Sequence, residues 1–250
     1  MNNIIINADD FGINQIVTSE IERMIEMGII SSTTIMANGE CLDEVKRFAV
    51  LHPEISFGVH LCLSEFSSLT KSQTLHKYGI TDESGAFVRK AIFNIKKVPF
   101  ELQKALREEL SAQIDKVKSL NIPLSHCDSH HHVHTIPALR DVFTQVVKEQ
   151  GFSKLRLSTE FHSLRLKVHV CAWKKQKRCN NYLKKHFKTT DQFFSYSTFL
   201  NLRKQPKDSI VELMCHPGHH GEIYKAEMKL VENKALQNRI DYKLISYNEL

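Results

Sequence analysis

Ile4-Ile5-Ile6 is apolar at every position, and Ile210-Val211-Glu212-Leu213-Met214-Cys215 is nearly so. Runs this short and continuous read as strands covered on both faces, the habit of parallel sheets flanked by helices. Thr33–Met36, Ile55–His60, Leu124–Asp128 and Leu155-Arg156-Leu157 read as further strands. Helical spacing separates most of them. Asn14 can cap a helix carrying Val17, Ile21, Met24 and Ile25 that stops at Gly28. Leu42–Leu51 places Val45, Phe48 and Ala49 on one face, and Leu102, Leu106, Leu110, Ile114 and Val117 mark a long helix. Pro137 opens another, with Leu139, Val142, Phe143 and Val146 facing inward. A last amphipathic helix and the segment Tyr242–Ser246 close the chain. This alternation, in 250 residues, predicts one α/β domain over 1–250. The expected architecture is (βα)-barrel-like (TIM-barrel-like), with room for seven strands.

Two stretches depart from the alternation. Residues 64–98 are irregular, with a turn signal at Glu83-Ser84-Gly85, and read as a surface excursion. A basic insertion at about 162–190 holds nine Lys or Arg and no Asp or Glu between His162 and Lys188, interleaved with Trp173, Tyr182 and Phe187. Charge and aromatics together could serve a polyanion. No nucleic-acid recognition motif accompanies them, and a solvated helix whose aromatic residues dock on the body is the preferred reading. The same local excess accounts for much of the net charge of +6. No run is long enough to span a membrane, and the N-terminus lacks a signal peptide's basic start and apolar core. The six cysteines are scattered without a C-x-x-C pair and read as free thiols of a cytoplasmic protein.

The chemistry concentrates in Ser125-His126-Cys127-Asp128-Ser129-His130-His131-His132-Val133-His134, which holds five of the fourteen histidines. Clustered imidazoles repel one another when protonated, and what neutral imidazoles do well together is bind a transition metal. Asp9 and Asp10, His60, the Asp128–His134 cluster, Arg156 and His216 all fall at or just past the end of an expected strand. In a parallel barrel these ends converge on one face, where active sites are built. One polar residue there is usually a helix cap, but four strand ends carrying histidine or paired aspartates are hard to explain as caps. Two histidines and a carboxylate with open positions make a catalytic style of metal site. Such an ion activates water near neutral pH, a nearby carboxylate can take a proton, and a histidine opposite can protonate a leaving group. Metal-assisted hydrolysis follows from the residue types; the substrate does not.

Asn7-Ala8-Asp9-Asp10-Phe11-Gly12, Gly58-Val59-His60, Asp128-Ser129-His130-His131-His132-Val133-His134 and Cys215-His216-Pro217-Gly218 together resemble the YdjC-like carbohydrate deacetylase family, in order and over almost the whole chain. The resemblance implies a hydrolase removing acetyl groups from N-acetylated amino sugars or short chitooligosaccharides with one divalent ion, Mg2+ or Zn2+. By position it makes Asp10, His60 and His130 the metal ligands, Asp9 the general base and His216 the acid. Arg156 would tune Asp9, with His132 and His134 as contacts to substrate or to the ligands. Residues 160–200 match no family motif. The competing readings are a hydrolase of another bond, such as a phosphoester, and a nucleic-acid-binding protein built on the basic segment. Barrels of this size often pair, so a homodimer is compatible with the sequence.

Overall fold

The computed structural model describes residues 1–159 and 168–250, the side chains of 168–172 excepted. In chain order it holds β1 (Asn2–Phe11), α1 (Gln15–Glu26), β2 (Ser32–Met36), α2 (Leu42–Leu51), β3 (Ser56–Leu61), α3 (Gln73–Lys77), α4 (Arg89–Asn94), α5 (Phe100–Lys118), β4 (Leu124–Ser129), α6 (Pro137–Glu149), α7 (Val168–His186), β5 (Gln192–Ser195), α8 (Tyr196–Leu200), β6 (Ile210–Cys215), α9 (Glu222–Glu232) and β7 (Tyr242–Leu244). Six strands run parallel in the order β4-β3-β2-β1-β6-β5 and curl into a half-barrel; short β7 pairs with the start of β1. The order is sequential around the curl, with its open side between β4 and β5, so the domain is α/β and barrel-like. No helix among the described residues is long and apolar enough to cross a membrane.

The local signals explain the elements. Ile4, Ile5 and Ile6 are all buried, because β1 lies inside the sheet, flanked by β2 and β6. The Asn14 side chain accepts from the backbone N–H of Val17 at 3.0 Å, capping α1. That helix turns Val17, Ile21, Met24 and Ile25 to the core, and Gly28, at φ +68°, ends it in the left-handed region that costs glycine least. Pro137 occupies the first turn of α6, where its missing N–H costs nothing.

One expectation is corrected. Leu155–Leu157 is not a strand: residues 154 and 155 form only isolated bridges, Cys127 with Leu155 and Lys154 with Lys188. Two parallel ladder bonds form, Cys127 N–H to Lys154 O and Arg156 N–H to Cys127 O. The ladder then stops where the Arg156 side chain turns inward to buried carboxylates. The fifth strand is Gln192–Ser195 instead, which pairs with β6 and buries Phe193 and Phe194.

The irregular stretch 64–98 contains α3 and α4 and the antiparallel bridges Ser67–Ala86 and Thr81–Phe87, with Leu75, Ile80, Phe87 and Ile92 buried. Buried Glu109 on α5 holds its start, accepting from the backbone N–H groups of Leu69 and Thr70 at 3.0 and 2.9 Å. Of the basic segment, residues 160–167 lie outside the described residues. Most of the remainder is α7, whose described lysines are exposed; Tyr182 docks under the Arg140 guanidinium at 3.9 Å and Phe187, just past the helix, is buried, but Trp173 stays 45% exposed and does not dock as expected. Cys41, Cys62, Cys127, Cys179 and Cys215 are buried free thiols.

Gly58 on β3 illustrates how tightly the sheet is packed behind the strand ends. A Cβ there would lie 2.6–2.8 Å from three ring atoms of His126. His126 cannot retreat, because its ring stacks on Tyr247 with centroids 3.6 Å apart. Gly58→Ala is therefore expected to destabilise the fold by roughly 1–3 kcal/mol through overpacking. Thermal unfolding checks this; an unchanged melting temperature would contradict the packing.

Candidate functional site

The strand ends converge as expected, aided by two backbone irregularities. Between Ala8 and Phe11, β1 advances three residues while β2 advances two, from Thr33 to Ile35. Adjacent residues of a regular strand point to opposite faces; a bulge re-aims one of them. Asp10, at φ 72°, sits in this bulge, and both Asp9 and Asp10 line the same cavity. After β4 the chain turns through His131 and His132, at φ 53° and 54°. Two consecutive left-handed non-glycine residues are costly and persist only where surrounding contacts impose them. The turn leaves His130, His131 and His132 all lining that cavity, whose volume is about 580 Å³.

Asp10 Oδ1, His60 Nε2 and His130 Nδ1 form a triangle with sides of 3.1, 2.8 and 3.3 Å. The outer nitrogens of both imidazoles face carboxylates. His60 Nδ1 lies 2.6 Å from Asp128, a contact set by register, since His60 and Asp128 are partners across β3 and β4. His130 Nε2 lies 3.2 Å from Glu65. In the neutral imidazoles each carboxylate fixes the proton on the outer nitrogen, so the inner nitrogens present lone pairs to one another and to Asp10. Three electron-rich atoms at such distances repel unless a cation lies among them. Buried Asp10 Oδ1 and His219 Nε2 also lack an aligned hydrogen-bond partner, although His219 is 3.0 Å from Asp10 Oδ2. The donor set therefore fits a divalent ion: ligands about 2.1 Å from a common centre stand roughly 3 Å apart.

With protons as the only cations, burial would lower the His60 and His130 pKa values, but the facing carboxylates override it. His60 rises well above its ordinary value through Asp128 and Asp10, and His130 is pushed up to about 9 through Asp10 and Glu65. Asp10 is held low, burial being outweighed by His130.

Beside the triangle lies a buried charge hub. Arg156, with no exposed surface, grips Asp9 through both terminal nitrogens at 2.7 Å, reaches Asp128 at 2.5 Å and donates from Nε to Glu212 at 2.8 Å. Burial alone would raise the Asp9 carboxyl, but the guanidinium keeps it below the usual carboxylate range. Burial pushes Glu212 up to about 7 despite Arg156, and Tyr247 donates its hydroxyl to it at 2.6 Å.

His216 follows β6 and lines the cavity, with Nδ1 3.6 Å from Glu227. Burial would lower its pKa, but Glu227, Asp9 and Asp10 raise it. His132 lines the cavity edge-on to Phe193; burial, aided by Arg156, holds it neutral. His134 is placed differently. It is fully buried behind the site, its Nδ1 2.5 Å from Ser129 Oγ and its Nε2 3.1 Å from the Arg156 carbonyl, and it does not line the cavity. The structure thus brings Asp9, Asp10, His60, His130, Arg156, His132 and His216 together and leaves His134 as a clamp on the Arg156 segment. Sequence reasoning missed Glu65, Arg89 and Phe93 from the irregular stretch, His219 and Tyr224 after β6, and Glu212. Only His219 had a visible signal, its place in His216-Pro217-Gly218-His219-His220.

A parallel α/β half-barrel with ionisable side chains gathered at its strand ends is the architecture of a barrel-type enzyme face. The profile of the YdjC-like protein family matches residues 3–243, and the chain belongs to that family. A protein from Vibrio campbellii described as a carbohydrate deacetylase is 34% identical over 224 residues, covering 86% of this chain and 77% of the relative. One of the same description from Vibrio parahaemolyticus is 30% identical over 86% of this chain and 78% of its own length. The fold matches the crystal structure of a putative cellobiose-phosphate cleavage protein from Enterococcus faecalis V583, with a TM-score of 0.73 at 22% identity. That match covers 100% of this chain and 99% of the other.

Proposed function

We propose that the protein is a metal-dependent deacetylase that hydrolyses the acetamide of N-acetylated amino sugars or short oligosaccharides. The observation that carries it is the Asp10–His60–His130 triangle, with a carboxylate facing the outer nitrogen of each imidazole, beside an ionised Asp9 and a protonatable His216. The relatives described as carbohydrate deacetylases support the substrate class.

Asp10, His60 and His130 would hold one divalent ion, with Asp128 and Glu65 orienting the imidazoles. Two imidazoles and a carboxylate favour zinc over magnesium, which prefers oxygen donors and near-octahedral hydration. When bound, such an ion supplies Lewis acidity that makes water nucleophilic near neutral pH and polarises a carbonyl. Asp9 is the base. The Arg156 fork fixes both carboxylate oxygens in place; Oδ1 also accepts from the Asn7 amide at 2.9 Å, so Oδ2 is the oxygen that retains a lone pair for a proton from the attacking water. His216 is the acid: its raised pKa lets it carry a proton to the departing amine. His132, held neutral, contacts substrate. His134 acts through the Arg156 backbone, a positioning role in place of substrate contact.

Acetate release from N-acetylglucosamine, N,N′-diacetylchitobiose and longer oligomers tests the reaction. Chelator-sensitive acetate from at least one is expected; no acetate from any would overturn the reading.

Metal binding should also depend on pH in a stated direction. Below about pH 9 His130 holds a proton that a metal must displace, and His60 adds a second. Affinity should therefore fall at least about tenfold per pH unit on going from 8 to 6. Calorimetric titration in buffers of different ionisation enthalpy reads both the slope and the released protons. A pH-independent affinity would contradict the assignment of these nitrogens.

A further inference from the structure

Phe93 is the feature of the cavity that the hydrolytic reading does not use. It lies on α4, a short helix anchored by fully buried Ile92, and lines the same cavity as the triangle. Yet 44% of its surface is exposed. The other aromatic wall, Tyr224, is packed against His216 and His219, with ring centroids 5.2 and 5.3 Å away. Among the described residues the ring and cation contacts of Phe93 are looser: the Arg89 guanidinium lies 5.8 Å from its centroid, and His131 has its centroid 6.3 Å away in an edge arrangement. His131 in turn lies against His130, with centroids 4.0 Å apart. The His131 ring thus lies against both Phe93 and His130, and Phe93 is placed beside whatever is attached to the reacting unit.

An exposed aromatic ring at a cavity lined mostly by charged and imidazole side chains suits a ligand that is apolar on one side and polar around its edge. A pyranose ring meets that description: its axial C–H groups stack on an aromatic face while its hydroxyls reach outward. Arg89 and Glu65, an ion pair at 3.6 Å on the same rim, supply donors and acceptors for those hydroxyls. The cavity volume also leaves room beyond a single reacting unit.

We propose that Phe93 is a stacking platform for the sugar ring next to the one that carries the reacting acetyl group, with Arg89 and Glu65 binding that ring's hydroxyls. This deepens the deacetylase reading and rests on it for the reaction, though not for the binding. The consequence is a preference for a disaccharide over a monosaccharide that depends on an aromatic side chain at position 93.

The test compares kcat/KM for N,N′-diacetylchitobiose and N-acetylglucosamine in the wild type, Phe93→Ala and Phe93→Trp. Binding of the disaccharide is measured by calorimetry in the Asp9→Asn background, with and without Phe93→Ala. Because Phe93 is exposed, neither substitution opens a core cavity. The expected result is a disaccharide-to-monosaccharide ratio that falls tenfold or more in Phe93→Ala and is restored in Phe93→Trp, with a matching rise in the disaccharide Kd. An unchanged ratio would overturn the platform. If no acetate is released from either sugar or from longer oligomers, the deacetylase reading fails and the binding arm alone decides. Disaccharide binding that weakens tenfold on Phe93→Ala upholds the platform, and binding that is absent or indifferent to Phe93 removes it.

Discussion

Asp9→Asn is expected to keep its divalent ion and lose roughly 10²- to 10⁴-fold in kcat/KM for an N-acetylated sugar, the usual contribution of a positioned general base. The separation of the two effects follows from the geometry. Asp9 is not a corner of the Asp10–His60–His130 triangle, although one of its oxygens lies within 4.8 Å of ligand atoms of His60 and Asp128, so its substitution leaves that donor set intact. Arg156 would keep Asp128 at 2.5 Å and Glu212 at 2.8 Å, so the buried guanidinium remains paired after the substitution. What disappears is a carboxylate that can receive a proton. Steady-state kinetics alongside metal analysis reads both quantities. Near-wild-type activity would remove Asp9 as the base, and an empty site would move it among the ligands.

His60→Ala and His130→Ala are expected to empty the site. Losing a carboxylate that orients a metal-bound histidine commonly costs 10- to 100-fold in metal affinity, and losing the imidazole itself should cost more than about 100-fold. Glu65→Gln should fall between these variants and the wild type, because His130 keeps its place while losing the acceptor 3.2 Å from Nε2. Activity should track occupancy and return in part at high metal concentration in Glu65→Gln. Stoichiometric metal in both alanine variants would show that the triangle is not the site.

Much of this was legible from sequence because the signals are local. The apolar run in β1 and the nearly apolar β6 predicted buried parallel strands, and the residues just past them predicted where the chemistry gathers. The family motifs singled out the same strand ends. What escaped depends on tertiary context. Leu155–Leu157 reads as a strand by its apolar flanks, yet Arg156 is drawn to Asp9, Asp128 and Glu212, which no local pattern announces. Gln192–Ser195 is only four residues long and reads as strand only once β6 is beside it. The bulge that turns Asp9 and Asp10 into one cavity leaves no mark in composition. Glu65 and Phe93 come from a stretch with no periodicity, placed by Glu109 and Ile92 holding the loop and helix that carry them. His134 sits in the same motif as His130, but the left-handed turn between them sends it behind the site, to Ser129 and the Arg156 carbonyl.

One divalent ion, held by Asp10, His60 and His130, is expected to be required for removal of an acetyl group from an N-acetylated sugar. The most direct measurement strips the protein with a chelator and adds back zinc in substoichiometric steps, following acetate release and metal per chain together. Activity should be lost on stripping and return in proportion to zinc, reaching its plateau at one ion per chain. Acetate release by the metal-free protein, or a plateau only at two ions per chain, would contradict it.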